Sequence, residues 1–285
     1  MNDHEANEHD EDGSTVAESA PAVLPLGQKD PFWKPFDNWF GYASETEDIV
    51  RLTHEGFSRV TSMPELLLIL DPNREDDKLD LANVKAEKAQ KEIDAGFPTV
   101  HAHSLLGLCG AFERFIEDLF IAGIASDPSL LSSESFSKVK VPLSVIYGLA
   151  DEDRNRAILA EASRTAGFDL AGGVTRFERI LDLVQLGGQV PAKIRKLVFQ
   201  AIEIRNVWAH RGGVADARFV ETCPDSGYAV GDKIEMKTEV FMPFMYAFNM
   251  YAVVIVNRRA SQEGGKLIDL ELPGFEGSLE EIADP

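Results

Sequence analysis

The chain has 285 residues, 44% of them hydrophobic and 9% aromatic, which is enough apolar side chain for one large domain or two small ones. Its 48 acidic residues outnumber 28 Lys and Arg, and the net charge of −20 argues against broad adhesion to nucleic acid, because a negative surface repels phosphate. Only two cysteines occur, the N-terminus lacks the basic start and apolar core of a secretory signal, and apolar runs are interrupted by charges such as Glu113, Arg114, Glu117 and Asp118. These features exclude a disulfide framework and point to a reducing cytoplasm with no membrane partner.

Residues 1–30 hold eight acids against one base and little apolar surface, so they read as a disordered acidic tail. Residues 31–97 read as an aromatic arm and helices that pack on a core. "PFWKPFDNWFGY" spaces Trp33, Phe36, Trp39 and Phe40 by three or four, as expected of an arm docked through its aromatics. A helix is predicted from Glu45 to Val60, a short one starting at Pro64, and a charged, exposed one from Lys78 to Ala95 that Gly96 ends. Residues 98–262 form the predicted helical core. Val100, Leu105, Leu108, Cys109, Phe112, Phe115, Ile116, Leu119 and Phe120 recur at three and four, the pattern of a long amphipathic helix. Short helices broken by Pro128, Pro142 and Gly148 follow, then a helix from Phe177 to Leu186 closed by Gly187 and Gly188. Pro191 opens the next helix, and Gly212 and Gly213 stop it. Turn signals at Pro224, Gly227 and Gly231 predict a small β-hairpin or an irregular loop, before a last helix from Val240 to Arg259. Residues 263–285 read as an acidic C-terminal tail. The expected fold class is an all-α bundle.

The local charge inverts at "EIRNVWAHRGG", Glu203 to Gly213. Residues 192–211 hold five bases and one acid, whereas residues 1–30 carry a net −7. On a helix, Asn206 and His210 are four apart and share a face, while Arg205 lies about 140° around the axis from His210. An anion-binding fork, an amide and a group that titrates near neutrality together suit phosphodiester chemistry without a metal. Lys193, Lys196 and Arg211 are the accompanying candidates for RNA phosphate. The same residues also fit a plain helix C-terminus, where Arg205 and Arg211 would be surface cations and His210 a polar cap.

"IRNVWAHRGG" resembles the signature of the HEPN superfamily, small all-α bundles marked by Arg-x4-6-His with Asn after the Arg and a small residue or glycine after the His. "HSLLGLCGAFERFIEDL" is similar to the first long helix of such domains, with Glu113 the best match for its characteristic acid and Glu117 the second. The resemblance covers about Pro98 to Arg259 and is weakest over 126–170. It implies a metal-independent endoribonuclease without cofactor, a toxin or antiviral defence effector, in which the RNA 2′-hydroxyl attacks the adjacent phosphate to leave a 2′,3′-cyclic phosphate. His210 would act as general acid or base, Arg205 would stabilise the transition state, Asn206 would orient His210 or the phosphate, and Glu113 would position Arg205 or His210. The resemblance further implies a homodimer with a composite site, and an antitoxin or nucleotidyltransferase partner. The alternative is a non-catalytic HEPN-like scaffold or nucleotide-binding module.

Other polar residues have plainer readings. His101 and His103 are two apart, so they point away from each other and read as helix-start polar residues rather than ligands. Cys109, flanked by apolar residues, reads as core.

Overall fold

Apolar spacings of three and four produce ten α-helices among the described residues, 26–165 and 172–269, in the computed structural model. About these residues the fold is all-α. Helix α1 (Trp33–Thr61) buries Pro35, Phe36, Trp39, Ala43, Thr46 and Val50 along one stripe. It is a single 29-residue helix, where the sequence suggested an arm followed by a separate helix. Pro35 is no obstacle, because the first turn of a helix leaves its N–H groups without intrahelical partners in any case. Helix α2 (Met63–Leu70) has no buried residue, and α3 (Asp76–Ala95) turns inward through Ala82 and Ala89. Leu66, Leu68, Ile69 and Leu70 are therefore solvent-facing. Gly96 ends α3 at φ 73, and Pro98 opens α4 (Pro98–Ser126).

Helix α4 is the hub, packed against α1, α6 (Asp151–Thr165), α7 (Gly173–Asp182), α8 (Ala192–Arg211) and α10 (Thr238–Gln262). Its Phe112 ring is fully buried and touches Trp39 of α1 at 4.8 Å, Phe248 and Tyr251 of α10 at 5.0 and 5.3 Å, and Phe177 of α7 at 5.5 Å. Between α4 and α6 the chain makes short 3-10 turns and the short helix α5 (Leu143–Gly148). The 29-residue α4 was legible from spacing, whereas α10 holds the long stretch that is poor in charge. It is long and apolar enough to cross a membrane by length and composition alone, yet most of that stretch is buried inside the bundle, as a core helix would be.

Two expectations are corrected, and one left open is decided. The acidic tail does not extend to residue 30: Leu26 is buried, and the Asp30 carboxylate accepts from Arg259 Nε at 3.0 Å while Arg259 lies over the Phe32 ring. Residues 1–25 of that tail, and 270–285 of the C-terminal one, lie outside the described residues. Of the two readings for the stretch before the last helix, the irregular loop is the one that forms: it holds the six-residue helix α9 (Ala217–Thr222) and one isolated antiparallel bridge, Val214 to Lys233, with no strand among the described residues. Helix α7 ends at Asp182 rather than at Gly187, because Leu183, Val184 and Leu186 turn into the core and Gln185 takes φ 61.

That early turn is pinned by one acid. Glu178 accepts from Gly188 N at 2.7 Å, from the Tyr251 hydroxyl at 2.5 Å and from Arg258 Nη1 at 3.0 and 3.1 Å. Arg258 also donates to Leu186 O and Gln189 O. Burial, with the Glu178 charge behind it, raises the Tyr251 phenol well above its usual range, so the hydroxyl stays a donor. Glu178 and Arg258 side chains are only 14% and 16% exposed, so removing one leaves a nearly buried charge alone. Glu178→Ala is expected to cost about 3 kcal/mol in urea unfolding. Glu178→Gln combined with Arg258→Met should cost less than the two single changes together, which a double-mutant cycle reads directly.

Candidate active site

Helix α8 begins after Pro191 and buries Ile194, Val198, Ala201, Ile202, Ile204 and Val207, which leaves Arg205, Asn206 and His210 for the surface near its end. Gly212 ends it at φ 60, and Gly213 follows at φ 82. The two glycines serve different needs. Nothing lies near a Cβ at Gly212, so the left-handed turn alone asks for glycine there. At Gly213 a Cβ would also meet the Trp208 ring at 2.8 Å. Lys233 sits over the other part of this motif, its Nζ 4.5 Å from the Trp208 ring centre and hydrogen-bonded to Gly212 O.

The candidate residues divide into two neighbouring groups. Arg205 turns toward α4, where its Nη2 lies 4.0 Å from Glu113 Oε2, and its Nη1 donates to Asn206 Oδ1 at 3.1 Å. Arg205 and Glu113 are 29% and 31% exposed, so this is a long, partly solvated pairing that orients more than it stabilises. Of the two acids singled out on α4, Glu113 is therefore the one beside Arg205. Glu117 is raised by burial, against the pull of Arg114 and Arg176. Behind the pair, burial pushes the Cys109 thiol up to about 12, so it is an inert core residue.

His210 faces the other way, into a pocket of about 250 Å3 between α8 and α9 lined by Glu203, Asn206, Val207, His210, Arg211, Asp216, Arg218 and Phe219. Asn206 belongs to both groups: its Oδ1 is held by Arg205, which leaves the amide NH2 available to the pocket. Arg211 Nε is 3.4 Å from Asp216 Oδ2, and Asp216 Oδ1 caps α9 by accepting from Phe219 N at 2.9 Å. Lys193 and Lys196 are not brought to this place. They sit about 17 and 14 residues before His210, roughly 25 and 21 Å along the helix, and Lys196 is tied to Asp225 at 2.8 Å. Among the described residues no group of three His, Cys, Asp or Glu side chains could hold a metal ion.

Three pocket residues went unread in the sequence: Glu203, Asp216 and Arg218. For Glu203 the signal was present, because Glu-x2-Asn-x3-His puts all three within about 60° of one helix face. Attention to Arg205 hid it. His101 stands in the first turn of α4, as expected, but it does not face water. It is fully buried, with Nδ1 2.9 Å from Met236 O and its ring stacked on Phe241 and edge-on to His54. Comparison with models of known families, with curated proteins and with solved structures finds no match.

Burial lowers the pKa of both His54 and His101. The unfolded chain thus binds protons that the folded one refuses, so the stability they contribute is complete above about 6.5 and is lost as pH falls from there toward the depressed folded values. The urea midpoint should drop between about pH 7 and 5. His101→Phe should make that drop shallower, whatever it does to the midpoint at pH 8.

Proposed function

We propose that the chain is a HEPN-type, metal-independent endoribonuclease that works as a homodimer in the cytoplasm, as a toxin or antiviral defence effector. The observation that carries this reading is the arrangement at the end of α8. Asn206 and His210 share a pocket, Arg205 stands beside them with Glu113 of α4 at its back, and Asn206 links the two groups. In the proposed reaction His210 takes the proton from the RNA 2′-hydroxyl as that oxygen attacks the adjacent phosphorus, or returns a proton to the leaving 5′-oxygen. The P–O5′ bond breaks, and the products are a 2′,3′-cyclic phosphate and a 5′-hydroxyl. Arg205 neutralises the charge that gathers on the phosphoryl oxygens, and Glu113 positions Arg205.

Within one subunit Arg205 and His210 point about 140° apart, so the reading takes them from opposite subunits. Two-fold pairing of the α8 ends brings each Arg205 to the pocket of its mate. The partial neutralisation of the basic groups, Lys196 by Asp225 and Arg211 by Asp216, favours the second reading, a module that binds nucleotide without cutting.

RNA incubated with the protein in chelator should be cut and should carry cyclic phosphate ends, which His210→Ala removes. Loss of one of two acid–base and charge-stabilising groups should lower the rate at least about a hundredfold. Cleavage that requires an added divalent ion would sink the mechanism. RNA left whole by a protein that still binds nucleotide would select the second reading. Mixing Arg205→Ala with His210→Ala chains should restore part of the activity that each lacks alone. Mixed dimers that stay inactive would place both residues in one subunit's site.

A further inference from the structure

The pocket between α8 and α9 has a carboxylate that the proposed cleavage does not use. Glu203 is 8% exposed, one of few nearly buried charged residues, and among the described residues no hydrogen bond or ion pair engages its carboxylate. Its carboxylate oxygens are not among the sealed, unpartnered polar atoms of the described residues, so they stay open on the pocket side, where a donor can reach them. The same pocket is lined by Arg218, which is exposed, and among the described residues no carboxylate lies within ion-pair reach of its guanidinium. Asn206 and the buried Val207 and Phe219 line it as well. The volume, about 250 Å3, falls below that of pockets for drug-sized ligands, so it suits one planar, base-sized group.

We infer that this pocket holds a guanine base and makes Glu203 the specificity-determining residue for cleavage on the 3′ side of guanosine. Guanine is the one RNA base with two adjacent donors, N1–H and the N2 amine, on the edge that a carboxylate can accept in bidentate fashion. Its other edge offers O6 and N7, the acceptors that a guanidinium matches in pairs. Adenine and cytosine bring an acceptor to the Glu203 side, and uracil brings a single donor. The register along α8 fits the same assignment. Glu203 and His210 are seven residues apart, two turns on one face and about 10.5 Å along the axis. A nucleotide with its base at Glu203 therefore carries its 3′-phosphate toward His210 and Arg211.

This inference takes its ligand class from the ribonuclease reading, and the experiment separates the two. Guanosine 3′-monophosphate, inosine 3′-monophosphate and adenosine 3′-monophosphate are titrated calorimetrically into the full chain. The expected order is guanosine, inosine, adenosine, with guanosine ahead of adenosine about ten- to hundredfold. Glu203→Gln, near in shape, should level guanosine and adenosine, and Arg218→Ala, on the exposed short helix, should weaken guanosine without unfolding the chain. Equal binding of guanosine and adenosine by the unaltered protein, or a preference that survives Glu203→Gln, would overturn the assignment. Mapped cleavage of a mixed-sequence RNA gives the other arm. Cuts spread evenly over the four bases overturn the guanine pocket and leave the ribonuclease standing. Intact RNA alongside a guanosine preference removes the ribonuclease and keeps the pocket.

Discussion

The ring of Phe112 is the point on which the arrangement turns. It is wholly buried and touches aromatic rings from α1, α7 and α10, so four helices meet around one side chain of α4. Interiors packed to this density leave little freedom for α4 to rotate or slide. The register of α4 decides what stands next. With Phe112 pointing inward, Glu113 comes about 100° around the helix, where α4 meets α8 and Arg205. The acid of the candidate site is thus located by the aromatic residue before it, and not by its own weak pairing with Arg205.

A second constraint works from the far side of the bundle. Glu178 and Arg258 hold the turn after α7 against α10, and that turn leads straight to Pro191 and α8. A helix that delivers its functional groups at the C-terminal end depends on where it starts, because every residue adds a fixed rise and rotation. The Glu178 cluster therefore acts on the site over the whole length of α8, with no contact to it. Charge around the site is handled locally. Arg211 and Asp216 pair within the pocket wall, while Lys196 is paired well away from it.

Much of the fold was legible because helix spacing and stop residues are local signals. Gly96, Pro191 and Gly212 stand at the boundaries they announced. Where the reading went astray, a tertiary contact had overridden the local signal. Gly187 and Gly188 looked like a helix stop, yet Glu178 reaches across to the Gly188 N–H and the buried Leu183 and Val184 end the helix four residues early. The break foreseen before Glu45 is absent because Trp39, Ala43 and Thr46 continue one buried stripe. At the site, Arg205, Asn206 and His210 could be picked out by residue type and spacing, and Glu113 through the family resemblance alone. The pocket could not, since Asp216, Arg218 and Phe219 join it only after the chain has turned at Gly213 and started α9.

The contact between Asp30 and Arg259 joins residues 229 positions apart, and Ile268 hydrogen-bonds to Asn257, two residues before Arg259 on α10. The first and last described segments of the chain therefore leave the bundle at the same end of α10. Segments that leave a bundle at the same end can be joined by a linker and the chain opened elsewhere, and an exposed loop such as the one around Pro72 and Asn73 offers new ends at little cost in contacts. A circular permutant of this kind would keep α4 and α8 in one unbroken stretch of polypeptide. Its free ends would lie at the Pro72–Asn73 loop, and a domain fused there would stand away from the pole where the present ends are joined.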